Sequence, residues 1–166
     1  MTKDVLGQKI WENRNGLMRF ALSIVHSGAD AEDAVSEAVV RAMTDIGKLR
    51  NEEKLKQWLF SITAHCCYDL LRRKKREEVT GDMERFDAPV FETPLEGTVY
   101  DHIAALRPAM REVLVLYYYE GFLAKDIAHV LNLPVSTVLM RLLRGRQKLK
   151  DMYEAEGVRY SDKQTV

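Results

Sequence analysis

Apolar residues recur every three or four positions along most of this chain, and the recurrence breaks off once, around residues 79–97. That period puts side chains on one face of a helix, whereas a half-buried strand would alternate, so the pattern predicts an all-α protein. Four prolines and nine glycines, widely scattered, are too few for a many-turned all-β fold. Where the period fails, Gly81, Pro89, Pro94 and Gly97 appear among acids, and residues 79–102 hold six acids against the single cation Arg85. This stretch reads as a linker. The simplest organisation is two small helical domains, residues 1–78 and 99–156, joined by an acidic flexible linker at 79–98 and followed by a frayed tail at 157–166.

In the first domain, Leu6, Ile10, Leu17, Phe20, Ile24 and Val25 form a stripe loosened by Gly7 and Gly16, with Gly28 as the expected stop. Asp30 is expected to cap a second helix, with Glu32 and Asp33 in the first turn, where the helix dipole favours acids. Its buried face would be Ala34, Val35, Ala38, Val39, Ala42 and Met43, which leaves Glu32, Asp33, Glu37 and Arg41 outward. After a polar connector at 47–54, a third helix aligns Leu55, Trp58, Leu59, Ile62, Cys66 and Leu70. It runs into five consecutive cations, Arg72, Arg73, Lys74, Lys75 and Arg76, whose charge suits a helix C-terminus. In the second domain the pattern resumes at Val99, Ile103 and Leu106. Pro108 then opens a helix carrying Met110, Val113, Leu114 and Tyr117 that stops at Gly121. A short helix at 124–131, a turn at Asn132, Leu133 and Pro134, and a longer helix with Val138, Leu142 and Leu149 complete it.

The chain's 25 basic and 25 acidic residues cancel, which by itself argues against affinity for a polyphosphate. The charges are nevertheless separated into patches, and patches determine binding. Arg72 to Arg76 form one cationic cluster, Arg141, Arg144, Arg146, Lys148 and Lys150 a second, and Asp30, Glu32, Asp33 and Glu37 an acidic one. With 46% hydrophobic and 30% charged residues, the chain can bury a core, so disorder throughout is excluded. No apolar run approaches the roughly 20 residues of a membrane span, and the first residues lack the apolar stretch of a signal peptide. The adjacent Cys66 and Cys67 point in different directions on a helix and do not suit a mutual disulfide. A cytoplasmic protein with no membrane insertion is the expectation.

Residues 123–150 have the spacing of a DNA-reading helix-turn-helix, with Asn132 at a turn where positive φ is tolerable. The second helix would then offer Ser136, Thr137, Leu139, Met140 and Arg141 to base edges, and Arg144, Arg146 and Lys148 to phosphates. The alternative is a helical hairpin with a solvated basic face. The Arg72 to Arg76 block, preceded by Trp58 and Tyr68, suits a nucleic-acid backbone with a base stacked on an aromatic. Equally, Trp58 can be core and the cations merely solvated. The acidic set can bind a basic partner, coordinate a hard cation or simply cap its helix, and no calcium-type loop accompanies it. A zinc site at His65, Cys66 and Cys67 fails because three consecutive helical residues fan around the axis. Cys66 reads as a small core residue, and Tyr117, Tyr118 and Tyr119 as one buried, one edge and one surface ring. His26, His102 and His129 have no evident triad partners, and no Gly-rich phosphate loop is present. No catalytic residue, metal or cofactor is expected.

Two sets of residues resemble a known family. Asp30 Ala31 Glu32 Asp33 Ala34 Val35 with Glu37, then Trp58 Leu59 with Ile62, then Asp69 Leu70 Leu71 Arg72 Arg73, resemble the second region of bacterial RNA polymerase sigma factors of the extracytoplasmic-function (ECF) group, within the sigma-70 family. Leu106 Arg107 Pro108, Arg111 Glu112 Val113 Leu114, Asp126 Ile127 Ala128, Pro134 Val135 with Thr137 Val138, and Arg141 Leu142 with Arg144 resemble that group's fourth region. The sets cover about residues 10–78 and 99–150, in the family's order.

The resemblance implies a polymerase subunit without a catalytic centre of its own, which binds core RNA polymerase at its clamp and flap regions, binds promoter DNA, and is held inactive by an anti-sigma factor, soluble or membrane-bound. It implies clamp docking by Asp30, Glu32, Asp33, Glu37 and Arg41. It assigns the −10 element to Asn51, Lys54, Lys56, Trp58, Arg72 and Arg73, and the −35 element to the helix-turn-helix. The linker acids Asp82, Glu84, Asp87 and Glu92 would then occupy a channel otherwise used by nucleic acid. Leu139 and Met140 depart from the family's usual cation and Ser, so methyl contact or promoter shape would contribute more there. Ser36, Val39 and Met43 also replace the family's common Gln and larger aromatics, which would alter clamp affinity. A rival class is a stand-alone helix-turn-helix regulator with an N-terminal dimerisation domain, which predicts palindromic half-sites.

Overall fold

The computed structural model describes residues 1–80 and 98–156, and the linker acids and the C-terminal tail lie outside them. Among the described residues there are seven α-helices and no strand. The chain divides into two compact units, Met1–Glu92 and Thr93–Val166.

The first unit is a mutually packed set of α1 (Lys3–Val25), α2 (Gly28–Thr44) and α3 (Leu55–Thr80). α1 starts where the Thr2 side chain accepts from the Val5 N–H at 3.3 Å, and runs without interruption through Gly7 and Gly16. Its end differs from the sequence reading. His26, at φ 53°, supplies the left-handed residue, and Gly28 is instead the first residue of α2. Ser27, not Asp30, caps that helix, and its hydroxyl accepts from the Asp30 N–H. The hydroxyl satisfies an orphan N–H and leaves the Asp30 carboxylate for another partner.

Ala31, Ala34, Ala38 and Ala42 form the buried stripe of α2, while Val35, Val39 and Met43, expected in the core, are half-buried. Phe20 and Phe60, both fully buried, meet with ring centroids 5.5 Å apart and fill the centre. In α3, Trp58 and Ile62 turn out to be half-buried, and the core is completed by Thr63, Ala64 and Cys67. The cationic block does not end α3, because the helix continues to Thr80.

The second unit comprises α4 (Thr98–Ala104), α5 (Pro108–Leu114), α6 (Ala124–Leu131) and α7 (Val135–Ala155). Pro108 opens α5 as expected, but the helix widens into a π-helical segment, Val115–Tyr119, before Gly121 stops it at φ 71°. Tyr117, Tyr118 and Tyr119 are all half-buried, so the expected gradation from buried to surface ring is absent. Tyr119 packs edge-on against Tyr100, and Tyr118 edge-on against Tyr117.

Candidate functional site

Local chemistry sets the helix-turn-helix geometry of the second unit. α6 buries Ile127, Ala128, Val130 and Leu131, and the Leu123 N–H donates to the Asp126 carboxylate at 3.2 Å, closing its first turn. Asn132 takes φ 53° and ψ 53°, the left-handed conformation that Asn tolerates, and α6 and α7 are inclined at 109°. That is a helix-turn-helix angle. Val138, Leu142, Gly145 and Leu149 form the buried stripe of α7. Gly145 was missed in the sequence, although it stands at helical spacing with the other three. A Cβ there would lie 2.8 Å from Leu114 Cδ1, so glycine lets α7 approach α5 closely.

The packing of that stripe turns Ser136, Leu139, Met140, Leu143, Arg144 and Lys148 to solvent, with Thr137 and Arg141 half-buried at the flank. Arg141, Arg144 and Lys148 line a groove of about 640 Å³ with Arg107, Ala109 and Met110 at the start of α5. Arg107 was not among the expected contacts. Its signal was the extended residue before Pro108, which leaves it exposed at a helix start. Arg146, also expected to face phosphates, has partners within the unit. Its Nε donates to the Tyr118 hydroxyl at 2.6 Å and its guanidinium lies 5.1 Å from the Tyr117 ring centroid, so it joins α7 to the π-helical segment.

Two buried charges support this unit. Arg111 and Glu112 are 6% and 5% exposed. The Arg111 Nη1 donates to the carbonyls of Ala104 at 3.3 Å and Leu106 at 3.1 Å, which satisfies the C-terminal end of α4. Burial pulls the guanidinium below its ordinary pKa, against the opposing pull of the Glu112 carboxylate and Tyr100.

In the first unit the expected acidic surface splits in two. Glu32 and Asp33 are exposed on α2. Asp30 is buried and pairs with Lys74, whereas Glu37 pairs with Arg41 and, at 3.4 Å, with Arg73. Arg41 also reaches Asp69 at 3.3 Å, and Asp69 accepts from Arg72. Glu37 and Arg41 are therefore half-buried between α2 and α3 rather than outward, and Arg72, Arg73 and Lys74 already hold carboxylate partners. Burial pulls Arg41 down in pKa, yet Cys66, Glu37 and Asp69 together carry it above the ordinary guanidinium value. Hydrogen bonding from Arg72, and from Arg41 beside it, holds Asp69 below the usual carboxylate range. The more exposed of these pairs, those of Glu37 and Asp69, contribute only about 0–1 kcal/mol each.

Around the start of α3, Asn51 and Lys54 are exposed, Lys56 and Trp58 half-buried. The Asn51 side chain accepts from the Glu53 N–H at 2.9 Å and so caps the short turn Glu52–Lys54.

Cys66 and Cys67 are both fully buried. Burial pushes the Cys66 thiol up from 9.0 to about 11, with Arg41 opposing and Glu37 and Asp69 assisting. The raised value means that the folded unit favours the protonated thiol. Its contribution to stability is complete below about pH 9 and declines as pH rises towards 11. In Cys66→Ala, urea midpoints should lose part of their fall between pH 9 and 11, and an unchanged slope would refute the assignment. Among the described residues, no group of three or more His, Cys, Asp or Glu is placed to hold a metal ion. No single described helix is long and apolar enough to cross a membrane.

Comparison with known proteins matches the chain to two family models in sequence order, sigma-70 region 2 over residues 10–77 and sigma-70 region 4 over residues 97–149. The chain is an ECF sigma factor of the sigma-70 family. The ECF sigma factor SigM of Bacillus subtilis is 27% identical over 146 residues, covering 84% of this chain and 89% of SigM. Among solved structures, the sigma factor RpoE in complex with the anti-sigma factor NepR, from Bartonella quintana, shares the fold at a TM-score of 0.73 and 22% identity, covering 93% of this chain and 99% of RpoE. CnrH in complex with the cytosolic domain of CnrY aligns at a TM-score of 0.66 and 25% identity, covering 93% of this sigma factor and 91% of CnrH. Region 2 thus corresponds to the three-helix unit, and region 4 to the unit carrying the helix-turn-helix.

Proposed function

We propose that this sigma factor binds core RNA polymerase through α2, opens the −10 element with the connector and α3, reads the −35 duplex with α7, and is held inactive by an anti-sigma protein. The observation that carries the reading is α7 itself, inclined at 109° to α6 with its N-terminal half exposed and a cationic groove on its flank. A helix so presented enters a major groove with its first turns at base edges and its later cations on phosphates. Exposed Glu32 and Asp33 supply an acidic patch for the clamp, while Asp30, Glu37 and Arg41 act by fixing α2 on α3. Trp58, half-buried at the start of α3 beside Lys56, offers a stacking surface to an unpaired base, with Asn51 and Lys54 exposed before it. In this reading polymerase supplies the chemistry. Anti-sigma control is supported by the solved relatives RpoE and CnrH, one in complex with an anti-sigma factor and the other with the cytosolic domain of CnrY.

Reconstitution with core polymerase tests the proposal: the complex should initiate at a promoter that core alone ignores. Tight binding to a palindromic operator without polymerase would favour the stand-alone regulator instead. Within the complex, Lys148→Ala should weaken all promoters alike and reduce the slope of log K against log salt by about one, as expected for one lost phosphate contact. A change confined to one promoter position would make Lys148 a base reader.

A further inference from the structure

α7 carries two chemically different flanks. Arg141, Arg144 and Lys148 recur at helical spacing on one and line the groove against the start of α5. Val135, Leu139 and Leu143, each four residues apart, form the other, and they are 43%, 53% and 61% exposed. Met140, at 45% exposure, lies between the flanks on the side away from the core. Single exposed apolar side chains are ordinary, but four within nine residues at the leading end of a helix make a patch.

We infer that this patch reads thymine, with Leu139 and Met140 packing on C5-methyl groups of A·T pairs in the −35 element while the opposite flank holds phosphates. The inference rests on the DNA-reading role proposed above for α7. Hydrogen-bonded readout uses Arg or Lys for guanine, Asn or Gln for adenine, and Asp or Glu for cytosine, and α7 has none of these before Arg141. Ser136 and Thr137 offer hydroxyls that pair with several base edges and discriminate weakly. The one apolar group that the major groove presents is the thymine methyl. Charge selects the occupant as well. A partner that embraces α7 from both sides meets apolar groups on one flank and three cations on the other, and duplex DNA supplies both methyl groups and flanking phosphates when a helix enters its major groove.

The test starts from the full chain assembled with core polymerase, which selects from a duplex library randomised across the −35 element. The selected duplex is then remade with deoxyuridine for each thymidine, a change that removes only the C5 methyl. Thymine should be enriched at one or two adjacent positions, and uracil there should weaken binding about fourfold per methyl, the worth of one buried methylene. Leu139→Ala and Met140→Ala should each weaken the thymine duplex by a similar factor, and the double variant should be indifferent to uracil. Both side chains are exposed, so urea midpoints should be unchanged. If either variant is destabilised, the uracil substitution with the unaltered protein decides. Equal binding of the two duplexes, or a Leu139→Ala/Met140→Ala double variant that still distinguishes them, overturns the inference and leaves promoter reading intact. A library that yields no enriched sequence overturns the promoter-reading role and this inference together.

Discussion

Arg111→Met should destabilise the C-terminal unit by about 1.5–3 kcal/mol for each of the two hydrogen bonds that its buried guanidinium donates. Methionine preserves much of the volume, so the loss would be electrostatic rather than a cavity. The carbonyls of Ala104 and Leu106 lose their donor, and Glu112, 5% exposed, loses its adjacent cation. The double variant Arg111→Met with Glu112→Gln should recover part of the loss, because the buried carboxylate that the guanidinium favoured is then uncharged. Urea unfolding followed by circular dichroism measures both. A loss below about 1 kcal/mol, the range of an exposed pair, would contradict the buried assignment.

Gly145→Val should cost about 1–3 kcal/mol and also weaken −35-dependent binding. The first added carbon falls 2.8 Å from Leu114 Cδ1 and 3.2 Å from its Cγ. Leu114 is fully buried in a close-packed interior, so the expected response is movement of α7 away from α5. Gly145→Ala should be milder, since alanine gains about 1 kcal/mol of helix propensity over glycine and offsets part of the clash. Displacement of α7 separates Arg141, Arg144 and Lys148 from Arg107 across the groove, so promoter contacts should weaken beyond what unfolding accounts for. Footprinting of the polymerase complex at a temperature where the variant is folded checks this. Full −35 protection in Gly145→Val would show that the close approach does not set the reading geometry.

The two variants concern residues whose importance was not apparent along the chain. Arg111 stood in a motif without a role, and its acceptors are five and seven residues upstream, across a helix end that periodicity does not locate. Gly145 was legible in principle, since it shares the helical spacing of Val138, Leu142 and Leu149. Trp58 illustrates the opposite error. Its spacing with Leu55 and Leu59 placed it on the core face, yet α3 is rotated so that Phe60, Thr63 and Ala64 take that position and Trp58 stays half-buried.

Local physics was enough for the all-α class and the helix-turn-helix. Helical spacing, Pro108 at a helix start, Asn132 with positive φ and Gly121 at a stop all act within a few residues, and the structure has each in place. The charges followed a different rule. Composition and spacing revealed the acidic and basic patches, but not that Lys74 meets Asp30, Arg73 meets Glu37 and Arg41 meets Asp69, partners 44, 36 and 28 residues apart. Those pairings depend on how α2 and α3 are rotated about their axes, which is set by alanines and rings in the shared core. Tertiary packing therefore decided which charges are left for partners, because an ion pair is chosen by distance in space whereas a helix is chosen by neighbours along the chain.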